Sequence, residues 1–517
     1  MGSGTLSTAS ADGPAGQPVE HLDVLVVGGG LSGVGAGCHL ERDAPHKSYA
    51  ILEARGAIGG TWDLFRYPGI RSDSDMYTLG FPFRPWDSNQ SIVDGASIHQ
   101  YILDTAREYG VDEKVRLHHR VTRASWSTTD QRWTVEAERT DTGESLRFSC
   151  QFVFMCSGYY HYDEPHNPGF PGRDQFRGAI VHPQFWPRNL DYTGQRVIVI
   201  GSGATAVTLV PAMSERAAHV TMLQRSPSYV VSLPGEDPLA KLARRLLPVQ
   251  AAYTLVRWKN VLITMLMFWL SRNRPHVVKR MIRAGLERQL PEGYDIDTHF
   301  KPRYNPWDQR MCLVPDADLF EGIGNGRVSV VTDHVDTFTP TGIRLASGQE
   351  LEAEVIVSAT GLNLLALGGV ELEVDGQPVD LPQAMIYRGC LLSGVPNLAF
   401  AFGYTNASWT LKSDLTCEYV TRILNYMYER GYSSAVPTLR PGSVEPVDFV
   451  DFSSGYVQRS IHLFPKQGSR PPWRLYQNYI RDRKLIRKAP LEDGVLQFAR
   501  QPPGQEPHRS DAVAAAA

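Results

Sequence analysis

The order of apolar and polar positions near the N-terminus predicts a strand, a glycine turn, a helix and a second strand. The β-rich run 21–27 leads into G-x-G-x-x-G at 28–33, and a helical stretch follows to about Asp43. The second strand, 48–52, ends at Glu53. Such glycines allow a tight turn and let backbone N–H groups approach a pyrophosphate closely. Because Glu53 stands where it would accept a hydrogen bond from a ribose 2′-hydroxyl and would repel a 2′-phosphate, the unit suits FAD or NAD.

The same pattern returns in the middle of the chain but ends differently. A predicted strand over 195–200 leads into Gly201-Ser202-Gly203-Ala204-Thr205-Ala206, where alanine takes the third glycine position, a tolerated variant. The next predicted strand, 219–223, is followed by Arg225 and Ser226 and by no carboxylate. An arginine can pair with a 2′-phosphate and the serine can add a hydroxyl donor, which favours NADPH. A solvated cation at a strand end is the alternative interpretation of Arg225.

The longest apolar run, 261–270, lies in a region, 238–300, that is rich in apolar and basic residues. A membrane-spanning helix needs roughly 20 such residues, so this run is too short to cross. The pattern predicts a buried helix. The alternatives are a helix over 258–272 that contacts a membrane surface, or one that guards the entrance of an apolar substrate path. A dimer surface is a further alternative for the whole region.

Composition narrows the class of protein. The length of 517 residues indicates two or three domains. The formal net charge of −3 gives no general attraction to nucleic acid or to anionic membranes, so any cationic site must be local. The six cysteines show neither C-x-x-C nor zinc spacing, which indicates reduced thiols, a cytoplasmic location and no metal site. Residues 1–20 lack the basic start and apolar core of a signal peptide, so they are predicted to be a disordered tail, as are 501–517.

The linker between the two glycine motifs carries the pattern F-x-G-x-x-x-H-x-x-x-W-P, from Phe176 to Pro187. This pattern resembles the fingerprint of Baeyer–Villiger monooxygenases, which are flavoproteins that use NADPH and oxygen. G-G-T-W at 59–62 resembles the FAD-binding segment of class B flavin monooxygenases. A-T-G at 359–361 resembles the segment at which the chain of these enzymes re-enters the FAD domain. I-G-S-G-A-T-A-V-T-L-V-P, Y-N-P-W-D-Q-R and G-Y-T-N-A-S-W-T-L-K are similar to the ethionamide-activating branch, and the resemblance covers roughly residues 20 to 500.

The resemblance implies FAD and NADPH as cofactors and a reaction in which one oxygen atom of O2 enters a ketone through a C4a-peroxyflavin, giving an ester or lactone. It also implies oxygenation of thioethers. The residues expected to contact the two cofactors are Gly28, Gly30, Gly33, Glu53, Gly60, Thr61, Trp62, Asp73, Gly201, Gly203, Ala204, Thr205, Arg225, Ser226, Ala359, Thr360, Gly361 and Asn406. Residues 403–409 are expected near the flavin ring, with Trp409 either a wall of the site or a core residue.

The resemblance also supplies the catalytic candidates. Arg310, at the end of Y-N-P-W-D-Q-R, matches the family arginine beside the flavin, and Asp73 matches the carboxylate that orients it. The alternative for Arg310 is a purely structural salt bridge. The alternative for Asp73 is a helix N-cap, and in that case Asp75 would be the carboxylate that orients Arg310. His182 is implied to couple domain movement to NADPH binding, and Trp186 to pack in the hinge. Gln309 departs from the lysine of better-known relatives, which puts one NADP contact in doubt.

The expected architecture is α/β, with two Rossmann-like dinucleotide-binding domains, the FAD domain discontinuous and the NADP domain inserted in it. The expected boundaries are 21–160 and 351–500 for the FAD domain, 161–194 for the linker and 195–350 for the NADP domain, with a helical insert at 238–300. An S- or N-oxygenating flavin monooxygenase is the alternative function, and Trp186 argues against it. A flavin disulfide reductase lacks its cysteine pair after Gly60, and a catalytically inactive flavoprotein would not need two intact cofactor motifs. The expected partners are an apolar ketone or thioether and O2, in a monomer or homodimer.

Overall fold

The computed structural model describes residues 19–450 and 452–501, and the two predicted tails lie outside this part except for their inner ends. The helices are α1 Leu31–Asp43, α2 Thr61–Leu64, α3 Met76–Leu79, α4 Gly95–Glu108, α5 Ala204–Ser214, α6 Pro238–Leu246, α7 Val249–Asn273, α8 Pro275–Gln289, α9 Ile296–His299, α10 Asp318–Gly324, α11 Trp409–Arg430, α12 Gly455–Gln458 and α13 Tyr479–Lys488.

The strands are β1 Glu20–Val27, β2 Tyr49–Leu52, β3 Val115–Arg116, β4 His119–Ser127, β5 Arg132–Arg139, β6 Ser145–Met155, β7 Tyr160–Pro165, β8 Ala179–Val181, β9 Arg196–Ile200, β10 His219–Gln224, β11 Val230–Leu233, β12 Cys312–Pro315, β13 Val328–Thr332, β14 Val335–Thr339, β15 Gly342–Leu345, β16 Glu350–Glu352, β17 Val355–Ser358, β18 Leu362–Leu364, β19 Glu371–Val374, β20 Gln377–Pro378, β21 Ile386–Tyr387, β22 Leu391–Leu392, β23 Leu398–Phe400, β24 Ser434–Pro437, β25 Pro446–Asp448, β26 Lys466–Gly468 and β27 Leu496–Ala499.

The larger sheet has the strand order β20-β19-β4-β5-β6-β1-β2-β3, and β23 also pairs with β6. Its centre is parallel: β1 lies between β6 and β2, with Val24 opposite both Phe152 and Tyr49. Side chains on the two faces belong to two separate buried clusters, which explains why β1 reads as a continuous apolar run. Strands from the first and last thirds of the chain share this sheet.

The second sheet has the order β13-β10-β9-β17-β8, and all its neighbouring strands run parallel. β9 is at its centre, so the glycine turn that follows it opens at the carboxyl edge between β10 and β17. Ligands of open α/β sheets bind at this edge. The two sheets confirm the predicted α/β fold with Rossmann-like units.

The helical region 238–300 contains α6, α7, α8 and α9. α7 is amphipathic: Tyr253, Val256 and Arg257 are buried, whereas Leu262, Leu266 and Trp269 on the opposite face are exposed. Arg257 fixes the buried face because its Nη1 donates to the carbonyls of Tyr77 and Gly80, both at 2.7 Å. The expectation of a buried helix therefore holds for only one face of α7. No helix in the described part of the chain is long and apolar enough to span a bilayer.

A buried ionic cluster joins α1 to α11 behind the first glycine turn. His39 Nδ1 lies 2.8 Å from an Asp43 oxygen, and its Nε2 lies 2.9 Å from an Asp414 oxygen. Burial alone would lower the pKa of His39, but the two carboxylates outweigh it and raise the pKa to about 9. The imidazolium is therefore the form that the folded protein favours.

We expect this cluster to make stability depend on pH. Because the folded pKa of His39 exceeds that of an unfolded histidine, its stabilisation is fully present below about pH 6.5 and is lost as the pH rises through about 9. The difference in unfolding free energy between the wild type and His39→Gln should be up to about 3 kcal/mol at pH 6 and should shrink towards pH 10. Urea denaturation at both pH values measures it, with His462→Gln at an exposed histidine as the control. A difference that does not change with pH would contradict the assigned ionisation.

Candidate active site

One cavity of about 1300 Å³ lies between the two sheets, and both glycine turns line it. Every residue named above as catalytic or as a cofactor contact lines this cavity, except Gly33, His182 and Asn406. Single drug-sized ligands occupy cavities of about 300–1,000 Å³, so this space suits more than one small molecule.

Two glycines of the first turn have no room for a side chain. A Cβ on Gly28 would lie 2.6 Å from the carbonyl oxygen of Cys156, and one on Gly33 would lie 1.9 Å from the carbonyl oxygen of Gly28. Gly33 thus packs α1 onto the turn rather than facing the cavity. Gly30 precedes α1 and no side chain caps the helix, so the N-terminal N–H groups of α1 remain available to an anion such as a pyrophosphate.

Glu53 is buried at the end of β2 beside this turn. Its two carboxylate oxygens accept hydrogen bonds from the backbone N–H of Gly29, at 2.6 Å, and of Arg55, at 2.8 Å. Burial raises the pKa of Glu53 above its ordinary value, while these two bonds act in the opposite direction. Each oxygen retains accepting capacity, and Glu53 lines the cavity, which is the arrangement that a ribose hydroxyl requires.

The Gly-Gly-Thr-Trp segment packs directly on the first turn. The N–H of Gly59 donates to the carbonyl of Gly29 at 3.0 Å, and Gly60 has a positive φ of 57° where α2 begins. Thr61 Oγ1 lies 2.9 Å from the hydroxyl oxygen of Tyr162. Together with Trp62, these residues extend the wall of the cavity beyond the pyrophosphate position.

The second turn repeats this construction in the other sheet. Gly201 has φ +143°, and a Cβ there would lie 2.4 Å from the carbonyl oxygen of Ala359. Gly203 precedes α5, and a Cβ there would meet no protein atom within 4 Å. Ala204 and Thr205 begin α5, whose uncapped N-terminus faces the same cavity. Each of the two turns therefore has the residues to bind the pyrophosphate of one dinucleotide.

Arg225 and Ser226 follow β10 and are exposed on the cavity wall. Arg225 forms no salt bridge with any residue in the described ranges, so its guanidinium is available to an anionic ligand. Burial and the nearby Arg225 charge lower the pKa of Arg459, another residue of the cavity wall. Two neighbouring cations on the cavity wall, neither in a salt bridge within the described residues, provide a site for an anionic group such as a 2′-phosphate.

Arg310 and Asp73 form a two-point ion pair on the wall between the two turns. Arg310 Nη2 donates to one Asp73 oxygen at 2.7 Å, and Nε lies 2.7 Å from the other. Burial alone would lower the pKa of Arg310, but Asp73 and the neighbouring tyrosines raise it above its ordinary value, so the guanidinium stays charged. Asp75, not Asp73, caps a helix, since its side chain accepts from the N–H of Thr78 at the start of α3.

An aromatic wall lies beside this ion pair, and of its members sequence reasoning singles out only Trp409. The ring of Tyr159 stacks on that of Trp409 at 5.3 Å, and the centroid of Phe402 lies 5.1 Å from Tyr159 and 5.2 Å from Trp409. Burial raises the pKa of Tyr456, a further residue of the wall, to about 12. Tyr159 follows the carboxyl end of the central strand β6, and that position is the signal that could have drawn attention to it.

Trp409 belongs to the cavity wall, and its indole N–H donates to Ser32 Oγ at 2.8 Å. Asn406, from the same segment, points elsewhere: its side chain donates to the carbonyl of Gln477 at 2.9 Å. Its neighbours Thr405 and Ala407 line the cavity instead. The structure therefore brings Tyr404, Thr405, Ala407 and Trp409 to the cavity wall, whereas the Asn406 side chain braces the segment against Gln477.

His182 and Trp186 lie behind the wall rather than on it. The N–H of Gln184 donates to His182 Nδ1 at 3.2 Å, and its side chain donates to the carbonyls of His161 and Tyr162. Burial lowers the pKa of His182, so its ring is neutral at neutral pH. Because Tyr162 also contacts Thr61, the linker is connected through these bonds to the Gly-Gly-Thr-Trp segment.

Ala359, Thr360 and Gly361 follow β17 and line the cavity beside the second turn. Thr360 Oγ1 lies 3.2 Å from Ser358 Oγ, and Gly361 has φ +111°. None of the residues from 238 to 300 lines the cavity, so the helical insert is not part of its wall.

Two family models match the chain. A flavin-binding monooxygenase-like model matches residues 75–364, and an NAD(P)-binding Rossmann-like domain model matches residues 26–89. The FAD-containing monooxygenase EthA of Mycobacterium tuberculosis H37Rv is 56% identical over 485 residues, which are 93% of this chain and 99% of that protein. EthA of Mycolicibacterium smegmatis is 50% identical over 482 residues, covering 93% of this chain and 98% of that protein.

Solved structures share the fold at low sequence identity. An oxidised steroid monooxygenase bound to NADP superposes with a TM-score of 0.72 at 21% identity, covering 93% of this chain and 100% of that one. Cyclohexanone monooxygenase from Rhodococcus bound to NADP+ gives a TM-score of 0.67 at 19% identity, covering 81% and 87%. These likenesses support the fold and the two-sheet arrangement around the cavity.

Proposed function

The chain belongs to the flavin-binding monooxygenase-like family, and on that premise we propose that it is a Baeyer–Villiger monooxygenase. It inserts one oxygen atom of O2 into an apolar ketone, giving an ester or lactone, and it also oxygenates thioethers to sulfoxides. FAD and NADPH are its cofactors. The balanced reaction consumes one ketone, one O2, one NADPH and one proton, and it releases the ester, water and NADP+.

The observation that carries the proposal is the Arg310–Asp73 pair beside an aromatic wall, inside the cavity that both glycine turns line. FAD, when bound, accepts two electrons from NADPH and activates O2. Arg310 then provides a fixed positive charge for negative charge that develops on oxygen during attack on the carbonyl. Asp73 holds the guanidinium through two contacts, so the charge needs no reorganisation at the moment of reaction.

We propose a different role for the aromatic wall, which is to exclude water. Tyr159, Phe402 and Trp409 exclude water from the cavity near Arg310, which strengthens the electrostatic effect of the guanidinium and limits loss of activated oxygen as peroxide. Their apolar faces also suit a ketone or thioether without charged groups.

The cofactors divide between the turns in the proposal. The turn from Gly28 and the carboxylate of Glu53 would hold FAD, while the turn from Gly201, with Arg225 and Ser226, would hold NADPH. His182 is proposed as a positioning residue that links NADPH binding to the wall through the Gln184 and Tyr162 contacts. The domain boundaries are proposed as given above, apart from β8 and β17, which pair within the second sheet and are therefore assigned to the NADP unit.

Arg225→Ala should raise the Michaelis constant for NADPH by about tenfold to a hundredfold, because a charge-assisted hydrogen bond to the 2′-phosphate is lost. The Michaelis constant for NADH, which lacks that phosphate, should change by less than about twofold. Steady-state kinetics with both nucleotides measures the difference, and Arg327→Ala at an exposed arginine before β13 is the control. An equal effect on both nucleotides would place the 2′-phosphate elsewhere.

Product analysis with two substrates tests the function itself. The purified flavoprotein is supplied with NADPH and, in parallel, a long-chain methyl ketone or a methyl aryl thioether, and the products are identified by mass spectrometry. The proposal expects ester from the ketone and sulfoxide from the thioether. Sulfoxide without ester would instead assign the chain to the S- or N-oxygenating flavin monooxygenases.

A further inference from the structure

The exposed face of α7 carries a continuous apolar stripe. Leu255, Leu262, Leu266 and Trp269 recur at spacings that place them on one side of the helix, and each is between 46% and 55% exposed. The stripe extends for about 21 Å along the helix axis. A continuous exposed apolar patch on a folded protein usually marks a surface that binds a partner or a membrane.

The neighbouring helices extend the same exposed apolar character. α6 packs against α7 and presents Leu242 and Leu246, which are 54% and 71% exposed, and α8 packs on α7 and presents Met281. The buried Arg257 anchors α7 to the body of the protein through backbone carbonyls near α3. The stripe is therefore displayed on a fixed support rather than on a loose segment.

The charge around this surface is strongly positive. Residues 238–290 contain eleven lysines and arginines and one acidic residue, Glu287, although the whole chain has a formal net charge of −3. Besides the buried Arg257, six of the basic side chains form no salt bridge within the part of the chain that the structure describes: Lys241, Arg245, Arg274, Lys279, Arg280 and Arg288. A basic rim around exposed leucines and a tryptophan is the composition of a helix that lies in the headgroup region of a bilayer.

We propose that α6, α7 and α8 form a docking surface for an anionic lipid bilayer, with the stripe of α7 entering the interface and the basic rim contacting lipid phosphates. The charge selects this partner over a second copy of the chain, since a two-fold dimer would place each cationic rim against itself. Nucleic acid would satisfy the basic residues but would leave the leucines and Trp269 exposed to water. The surface is distinct from the proposed active site, because no residue of the insert lines the cavity.

The test is flotation of the intact flavoprotein with vesicles of equimolar phosphatidylcholine and phosphatidylglycerol, compared with phosphatidylcholine alone. We expect binding to the anionic vesicles at low salt and a large loss at high salt, because charge screening weakens the contact of the rim. Leu266→Ser/Trp269→Ser should lower the partition coefficient at least about tenfold, since the apolar anchors are removed. Arg245→Glu/Arg274→Glu should also lower it at least about tenfold, since each basic residue contributes about fivefold.

Leu463→Ser and Arg327→Glu, at an exposed leucine and an exposed arginine outside the insert, are the matched controls and should bind as the wild type does. NADPH oxidation with a water-soluble ketone should be unchanged in all variants, which shows that they fold and separates this inference from the proposed function. Equal binding to neutral vesicles, or binding that the stripe variants retain, would overturn the proposal. So would absence of binding to the anionic vesicles. A dimer, seen by analytical ultracentrifugation, that Leu266→Ser/Trp269→Ser converts to a monomer would then make a second copy of the chain the partner of this surface.

Discussion

Replacing Arg310 by alanine is expected to lower the rate of ketone oxygenation by about a hundredfold to a thousandfold, while NADPH still reduces the flavin. The guanidinium is held by Asp73 through two contacts of 2.7 Å, and it stays charged because Asp73 and the surrounding tyrosines raise its pKa. Its removal takes away the fixed charge that stabilises negative oxygen during attack on the carbonyl. Reduction by NADPH needs only the two cofactor sites, so single-turnover reduction should proceed at close to the wild-type rate.

Two further variants make this result specific to charge and orientation. Arg310→Lys keeps the positive charge but cannot form the same two-point pair with Asp73, so it should retain an intermediate rate. Asp73→Asn keeps the size of the side chain and loses its charge, so it should impair oxygenation through a less well oriented Arg310. Ester formation by Arg310→Ala within about tenfold of the wild-type rate would show that the charge acts elsewhere.

The second large effect is expected at Gly201. Alanine there would place its Cβ 2.4 Å from the carbonyl oxygen of Ala359 and would hold a backbone with φ +143° that side chains disfavour. We expect a loss of about 2–4 kcal/mol in unfolding free energy and at least about a hundredfold slower reduction by NADPH. FAD should remain bound, because the turn from Gly28 belongs to the other sheet. Denaturation, absorbance of bound flavin and anaerobic reduction measure the three quantities.

Gly203→Ala is the matched control two residues away. No protein atom lies within 4 Å of its added Cβ, so the unfolding free energy should stay within about 1 kcal/mol of the wild type. The methyl group would, however, occupy space before α5 that the proposed pyrophosphate needs, so NADPH reduction should still weaken. The opposite result would be a Gly201→Ala protein that loses FAD but, once FAD is added back, is still reduced by NADPH. That result would reverse the assignment of the two cofactors to the two turns.

The two glycine turns could be predicted because each is local in sequence. Strand, turn, helix and strand follow one another within about 30 residues, and the glycines are required by close backbone contacts such as that of Gly33 with Gly28. The contrast between Glu53 and Arg225 is local as well, since each follows the second strand of its unit. Such signals depend on periodicity and spacing, which a sequence displays directly.

The wall around Arg310 could not be predicted from spacing. Arg310 and Asp73 are 237 residues apart, and they could be paired only through the family resemblance. Tyr159, Phe402 and Tyr456 come from separate segments that meet only when the sheets assemble around the cavity. Likewise, the apolar run in α7 predicted a buried helix and gave a surface helix only as an alternative, because its buried side depends on contacts with distant backbone carbonyls.

The most direct test of the central claim is a reaction with NADPH, a long-chain methyl ketone and ¹⁸O-labelled O2, with the product analysed by mass spectrometry. The proposed function predicts an ester that contains one labelled oxygen atom, formed in a one-to-one ratio with the NADPH consumed. Consumption of NADPH with release of hydrogen peroxide and no labelled ester would contradict it, and Arg310 and Asp73 would then lose the roles proposed for them.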